Sequence, residues 1–518
     1  MKTINTQNIP IYVYWIIVIL PIVILYLPAL QYDFVNWDDP YYVYKNEGIK
    51  QFNSKTLKHF FSLKTIIMGN WHPLTMLSLA LDYQLFGKTA FGFHLTNIIL
   101  HLISCILIFQ LGRAFKLSEI QSVFLGVWFG IHPLHLESVV WVTERKDVLF
   151  TAAWLGAWYV WWKQDHHKYY HYIAILLFII SVLSKAMAVS LPVILILTDY
   201  YRGKPIKLLR YIPFFIIALI AGGIGIYAQQ TAEALSYRAG YTWTDNFAIA
   251  GSGVWWYMYK MLLPLEQSAF YPYPLKESGM LPGLYWAGFI GAAVLLALTI
   301  WAGIKKNFQL FFVTAFFLIT VFPVIQLIPL GNARVADRYF YLSSFSLLLG
   351  FIWIINRIPF PQKYSWSLLL IPTMVWGYLA FERIPVWKNG ETLWLNVIDQ
   401  YPDQSFAWNN LGTLYFEEGA FDKAIPVYLK VLSLDTGYAD GYNNLGTIYA
   451  TRKNYPEAIF HFTQAVKYKS PYPAAEFNLG YALNLVGKTD SAIVWLKQAA
   501  THGHPQAQQL LTQNKLTW

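Results

Sequence analysis

Two carboxylates stand side by side at Asp38 and Asp39, in NWDDPYYVYKN, directly after a long apolar run. Adjacent acids in such a loop can hold a divalent metal such as Mg or Mn, take a proton from a hydroxyl as a general base, or only mark a solvated boundary. Five basic side chains gather in three other stretches: Arg145 and Lys146 in TERKD, Lys185 in VLSKAMAV, and Arg334 and Arg338 in GNARVADRYFYLSS. At helix mouths such groups either bind phosphate oxygens or snorkel toward the headgroups, and an ionisable cluster there is a functional candidate. If the five converge, a lipid phosphate is the natural anion for them. GIHPLHLESVVW adds His132, His135 and Glu137. The HxxH spacing offers zinc-type ligands without a convincing third site, so a hydrogen-bonded polar network is the expected role, shared with His72 and Asp337. No P-loop, nucleophile elbow or dinucleotide fingerprint is present. A single cysteine, Cys105, excludes an intrachain disulfide, and its apolar setting disfavours a thiolate nucleophile.

The elements that must position these groups are membrane helices. The 518 residues are 56% hydrophobic, 18% aromatic and 13% charged, against roughly 25% charged in a soluble domain. This composition predicts a multi-pass, all-α membrane protein. Runs of spanning character fall near 11–31, 92–112, 120–135, 146–163, 171–184, 186–200, 211–228, 282–304, 308–329, 339–357 and 366–382, about eleven crossings at about 20 residues each. Residues 251–270 are expected to lie in or dip into the interface, because Lys260 and the FYPYP run interrupt them. The N-terminal run is too long for a signal peptide and reads as a retained anchor.

Basic clusters recur on alternate loops, at Arg113 and Lys116, Lys163 to Lys168, Arg202 to Arg210, Lys305 and Lys306, and Arg357 and Lys363. The positive-inside rule places these in the cytoplasm. The long 32–91 loop and the candidate groups then face the opposite side, with part of that loop (QFNSKTLKHFFS) lying along the membrane surface. The formal charge of +10 belongs to these loops, and nucleic acid is not an expected partner. Short loops and the single cysteine suggest a bacterial inner membrane, or the ER membrane if the source is eukaryotic.

Beyond 400 the texture changes. Leu411, Leu445 and Leu479 align at a 34-residue step, as do Gly412, Gly446 and Gly480, and Ala424, Ala458 and Ala492. This period and pattern predict three tetratricopeptide repeats over 405–518, an α-solenoid suited to an extended peptide or protein partner. The expected division is a membrane domain over 1–384, a linker or leading helix over 385–404, then the repeats, on the periplasmic or luminal side.

The order NWDDPYYVYKN, NWHPLTMLSLALDYQLFGKTAFGFHLTNIILH, GIHPLHLESVVWVTERKDVLF, SKAMAVSLPVILILTDY and ADRYFYLSS, followed by repeats, resembles the transmembrane and tetratricopeptide-repeat-containing (TMTC) protein O-mannosyltransferases and their bacterial relatives. The resemblance covers nearly the whole chain. It implies a GT-C glycosyltransferase fold, a polyprenyl-phosphate sugar as donor, a protein hydroxyl as acceptor, and the catalytic carboxylate at Asp38 or Asp39, with Asp38 favoured. It implies donor-binding or structural roles for the ERKD, SK and ADRYFYL stretches. His72 departs from the Arg that related proteins often carry before Pro-Leu, which bears on donor recognition, and the repeat array is shorter than in the eukaryotic members. An oligosaccharyltransferase using a polyprenyl-diphosphate glycan, a glycolipid-modifying transferase and a non-catalytic scaffold are the competing expectations.

Overall fold

Apolar segments with few charges fold as helices here because a helix satisfies its own backbone groups where water cannot. The computed structural model describes residues 9–231, 240–328, 331, 333–361, 364 and 366–518. The first eight residues, part of the 229–281 segment, Asn332 and Lys363 fall outside the described residues. The chain divides into two units, Met1–Asn389 and Gly390–Trp518.

Among its described residues the first unit is mainly helical, with a two-stranded antiparallel pairing of β1 (Tyr271–Pro272) with β2 (Ala333–Val335). Its helices run α1 (Ile11–Tyr26), α2 (Ser54–Phe61), α3 (Pro73–Phe86), α4 (Ala90–Ala114), α5 (Glu119–Ile131), α6 (Leu136–Val140), α7 (Arg145–Lys163), α8 (Tyr169–Ser184), α9 (Leu191–Tyr201), α10 (Ile212–Thr231), α11 (Trp243–Leu262), α12 (Gly283–Ile304), α13 (Phe308–Val321), α14 (Ser344–Ile355) and α15 (Ser367–Arg383).

Each expected apolar run contains helix, but length and composition alone qualify fewer as crossings. Among the described residues four helices are long and apolar enough, Ile11–Gln31, Ala90–Ala114, Ile212–Thr231 and Gly283–Ile304, or five if a bent pair counts as one. The others are short, as at Tyr169–Ser184 and Ser344–Ile355, or carry charges into their first turn, as α7 does. The segment expected at 251–270 starts earlier and runs as one 20-residue helix, α11, with Lys260 buried near its end. Gly251 and Gly288 let α11 and α12 meet backbone to backbone; a Cβ at Gly251 would stand 2.5 Å from the Phe289 Cα.

Two local features position the site. The chain bends by 53° between Glu119–Ile131 and Pro133–Val140, because Pro133 cannot donate to the preceding turn. The bend turns residues 132–147 inward, where they are almost wholly buried. The 32–91 segment shares an apolar core with α4 and the turn at Val142, in which Tyr42, Ile49 and Phe60 pack with Met76, Leu79, Phe93 and Val142. Asn53 caps α2, its side chain accepting from the Lys55 and Thr56 amides.

The second unit begins with a leading helix, α16 (Gly390–Gln400), followed by α17 (Ser405–Glu417), α18 (Phe421–Leu434), α19 (Ala439–Thr451), α20 (Tyr455–Tyr468), α21 (Pro473–Leu485), α22 (Thr489–Thr501) and α23 (Pro505–Gln513). The repeated glycines lie where paired helices cross. A Cβ on Gly412 would meet the Tyr428 ring at 2.8 Å, on Gly446 the Phe462 ring at 2.7 Å, and on Gly480 the Leu496 side chain at 2.9 Å.

Candidate active site

Asp38 and Asp39 occupy different environments although they are neighbours. Asp39 is 1% exposed and both its oxygens are engaged. Oδ2 accepts from the Val35 amide at 2.8 Å, and Oδ1 accepts from the Thr143 amide at 3.1 Å and the Thr143 hydroxyl at 2.8 Å. Burial pushes its carboxyl up to about 7, against the pull of these donors. Asp38 is the more open, its side chain 15% exposed, with Oδ2 3.7 Å from the Lys146 Nζ. Its carboxyl is also raised, by burial first and by Glu144, against Lys146 and Arg338.

The five residues 143–147 connect this acid loop to the cations, each side chain in its own direction. Thr143 ties down Asp39. Glu144, 1% exposed, lies 3.1 Å from Lys146, 3.7 Å from Lys185 and 3.4 Å from Arg338. Burial works to raise its carboxyl, but Lys146, Lys185 and Arg338 together hold it well below the ordinary range. Arg145 is fully buried; its guanidinium donates to Asp82 Oδ2 and Ser78 Oγ at 2.6 Å each and to the Phe93 carbonyl at 2.9 Å, and its Nε donates to Asn97. Lys146 turns toward Asp38 and over the Tyr42 ring, 5.0 Å from its centroid. Asp147 pairs with Lys185 and accepts from the Ser138 hydroxyl at 3.3 Å.

The structure therefore brings together Asp38, Lys146, Lys185 and Arg338, and places the other expected groups elsewhere. Arg145 has spent its donors on α3 and α4. Arg334, on β2, lies over the Tyr285 ring at 5.9 Å. Asp337 accepts from the Tyr271 hydroxyl at 2.8 Å and from Gln267 at 3.0 Å, and burial pushes it up to about 6. Glu137 does join the cluster, accepting from the Arg338 guanidinium and, at 3.2 Å, from its amide. His132 and His135 bond to backbone carbonyls, Met261 at 3.0 Å and Phe129 at 2.6 Å. His72 stacks on Tyr42 at 5.2 Å, and burial, reinforced by Lys146 and Lys185, pushes it down to about 3. Trp141 forms a wall, stacked between Trp37 at 4.8 Å and Trp387 at 5.6 Å, with Arg338 5.5 Å from its ring.

The aspartate pair does not fit a divalent metal. Asp39 already accepts three protein hydrogen bonds, and Lys146 stands where Asp38 would meet a second cation. What the arrangement can do is remove a proton at Asp38 beside a site that stabilises negative charge.

The family described as Tetratricopeptide repeat matches residues 403–469. Over 442 residues the chain is 23% identical to "Protein O-mannosyl-transferase F38B6.6" of Caenorhabditis elegans, covering 80% of this chain and 62% of that protein. It is 23% identical over 423 residues to "Protein O-mannosyl-transferase TMTC3" of Homo sapiens, covering 70% of this chain and 44% of that one. A shorter stretch of 89 residues is 35% identical to "Protein O-mannosyl-transferase Tmtc1" of Drosophila melanogaster, 17% of this chain and 10% of that one. The chain is TMTC-like. It spans less than two thirds of the length of these curated relatives.

In this TMTC-like chain, sequence reading missed Glu144. Its signal was present, a lone carboxylate between Thr143 and two cations, but an acid inside a basic run reads as local charge balance. Asp82, in LALDYQLFG, reads from sequence as a structural hydrogen-bond partner, and the fold supplies its mate, Arg145, across 63 residues.

Proposed function

We propose that this chain is a membrane glycosyltransferase of the GT-C kind that transfers a sugar from a polyprenyl-phosphate donor to a hydroxyl group of a protein, at the non-cytoplasmic face of the membrane. The observation that carries the reading is the placement of the Asp38 carboxylate 3.7 Å from Lys146, in a cluster completed by Lys185 and Arg338. Asp38 takes the acceptor hydroxyl proton as the oxygen attacks the anomeric carbon. The bond from that carbon to the phosphate oxygen breaks, and its electron pair leaves with the polyprenyl phosphate. Lys146, Lys185 and Arg338 stabilise that charge in a low-dielectric, partly enclosed site. Asp39 serves the loop's geometry rather than the proton transfer. The repeats supply a protein-binding module for the acceptor, and the names of the relatives favour mannose as the sugar.

Glycoproteomics of cells carrying wild-type, Asp38→Asn or no chain tests this reading. Glycopeptides present with wild type and missing from Asp38→Asn at equal protein level are expected. The same glycopeptides in all three strains would refute it.

A further inference from the structure

Among the described residues, three cations form ion pairs with four carboxylates at this site, and the pairing has a pattern. Lys146 has Asp38, Lys185 has Asp147 and Arg338 has Glu137 as its own partner. All three then share Glu144. Pairing each cation with its own acid leaves Glu144 as the extra anion, at the point where the three cations converge. It comes from the 3-10 turn Val142–Glu144 and is buried, and the cations reach it from α7, from the α8–α9 connection and from the turn after β2. A buried carboxylate in that position does the work of a bound anion: it keeps three mutually repelling cations together.

We propose that Glu144 is a positioning residue that stands in for the donor phosphate, holding Lys146, Lys185 and Arg338 in place when the site is empty and limiting their affinity for the departing polyprenyl phosphate. The proposal rests on the functional reading above. It follows from the geometry that a phosphate arriving at the cluster shares its cations with Glu144. Such a site binds the anion less tightly than the same three cations would without Glu144, which favours turnover, since binding ground state and product tightly does not accelerate the reaction. Glu144 also acts on the base. Its negative charge raises the Asp38 carboxyl, while Lys146 and Arg338 lower it. The other titratable groups facing Glu144 are Asp147, Glu137, His72 and Tyr42.

The full chain purified in detergent decides the matter, with binding of undecaprenyl phosphate and turnover of polyprenyl-phosphate mannose as the two readouts. Glu144→Gln removes the shared charge and keeps the shape. It is expected to bind undecaprenyl phosphate roughly three- to tenfold more tightly than wild type, to turn over more slowly, and to shift the acid limb of kcat/KM to lower pH. Glu144→Asp keeps the charge and is expected to return affinity and acid limb toward wild type. Glu144→Ala makes the same charge change and stands in if Glu144→Gln does not survive extraction. Unchanged affinity and an unmoved acid limb in the charge-removing variant, with turnover reduced only in step with folded protein, overturn the proposal. A wild-type chain that binds no undecaprenyl phosphate, or an Asp38→Asn chain with full turnover, overturns the functional reading itself.

Discussion

Thr143 grips Asp39 twice, with its backbone N–H at 3.1 Å and its hydroxyl at 2.8 Å, across 104 residues of sequence. The turn that carries the hub of the cation cluster is thus bonded directly to the loop that carries Asp38. Positions of Asp38 and the cations are coupled through one threonine and one aspartate.

Asp38→Asn and Asp39→Asn should therefore fail differently. Asp38→Asn removes the proposed proton acceptor and is expected to lower turnover by about 100-fold or more with the melting temperature nearly unchanged. Asp39→Asn replaces an acceptor with an amide whose NH2 would face donors on one side. It is expected to destabilise the chain by about 1–3 kcal/mol. Thermal unfolding and turnover measured on both variants separate the two roles; equal loss of stability in both would contradict the division.

Thr143→Val deletes one of the two bonds and keeps the shape. Turnover should fall while undecaprenyl phosphate still binds, because the cations are held by Glu144 and not by Thr143. Turnover kinetics beside a binding isotherm give the answer.

The pH dependence has a definite sign. A base must be ionised, and the Asp38 carboxyl is raised by burial and by Glu144. Its folded value lies above the unfolded one, so activity is lost on acidification at a higher pH than it would be with an ordinary carboxylate, near 4. The acid limb of kcat/KM is expected above that range and absent from Asp38→Asn. A limb at or below about 4 would remove Asp38 from the role.

The repeats were legible from sequence because a 34-residue step carries Leu, Gly and Ala to fixed places, and small residues where helices cross are a local property of the sequence. The apolar runs were legible for a similar reason. Directions of charged side chains were not. Arg145 and Lys146 are adjacent, yet successive residues on a helix point about 100° apart, so one enters the α3–α4 interface and the other the site. Arg334 and Arg338 are four apart and would share a face on a helix. They lie instead on a strand and the turn after it, and diverge. Charge pattern alone could not separate the cations that cluster around Glu144 from those paired elsewhere.

Arg145 supplies the sharpest contrast between those two classes. Its guanidinium is fully buried and paired with Asp82, itself only 4% exposed at the side chain. Arg145→Met strands the Asp82 carboxylate in a site built for a pair, which is expected to cost about 3–5 kcal/mol. Arg145→Met with Asp82→Leu removes both charges and should recover much of that loss, since a buried pair replaced by apolar groups of similar volume is often near neutral. Undecaprenyl phosphate affinity of the folded double variant is expected to match wild type, because Arg145 points into α3 and α4 and not at the cation cluster. Thermal unfolding of the single and double variants, with a binding isotherm on the double, tests both halves. Stability that does not recover refutes the pairing argument, and affinity that falls tenfold returns Arg145 to the phosphate site.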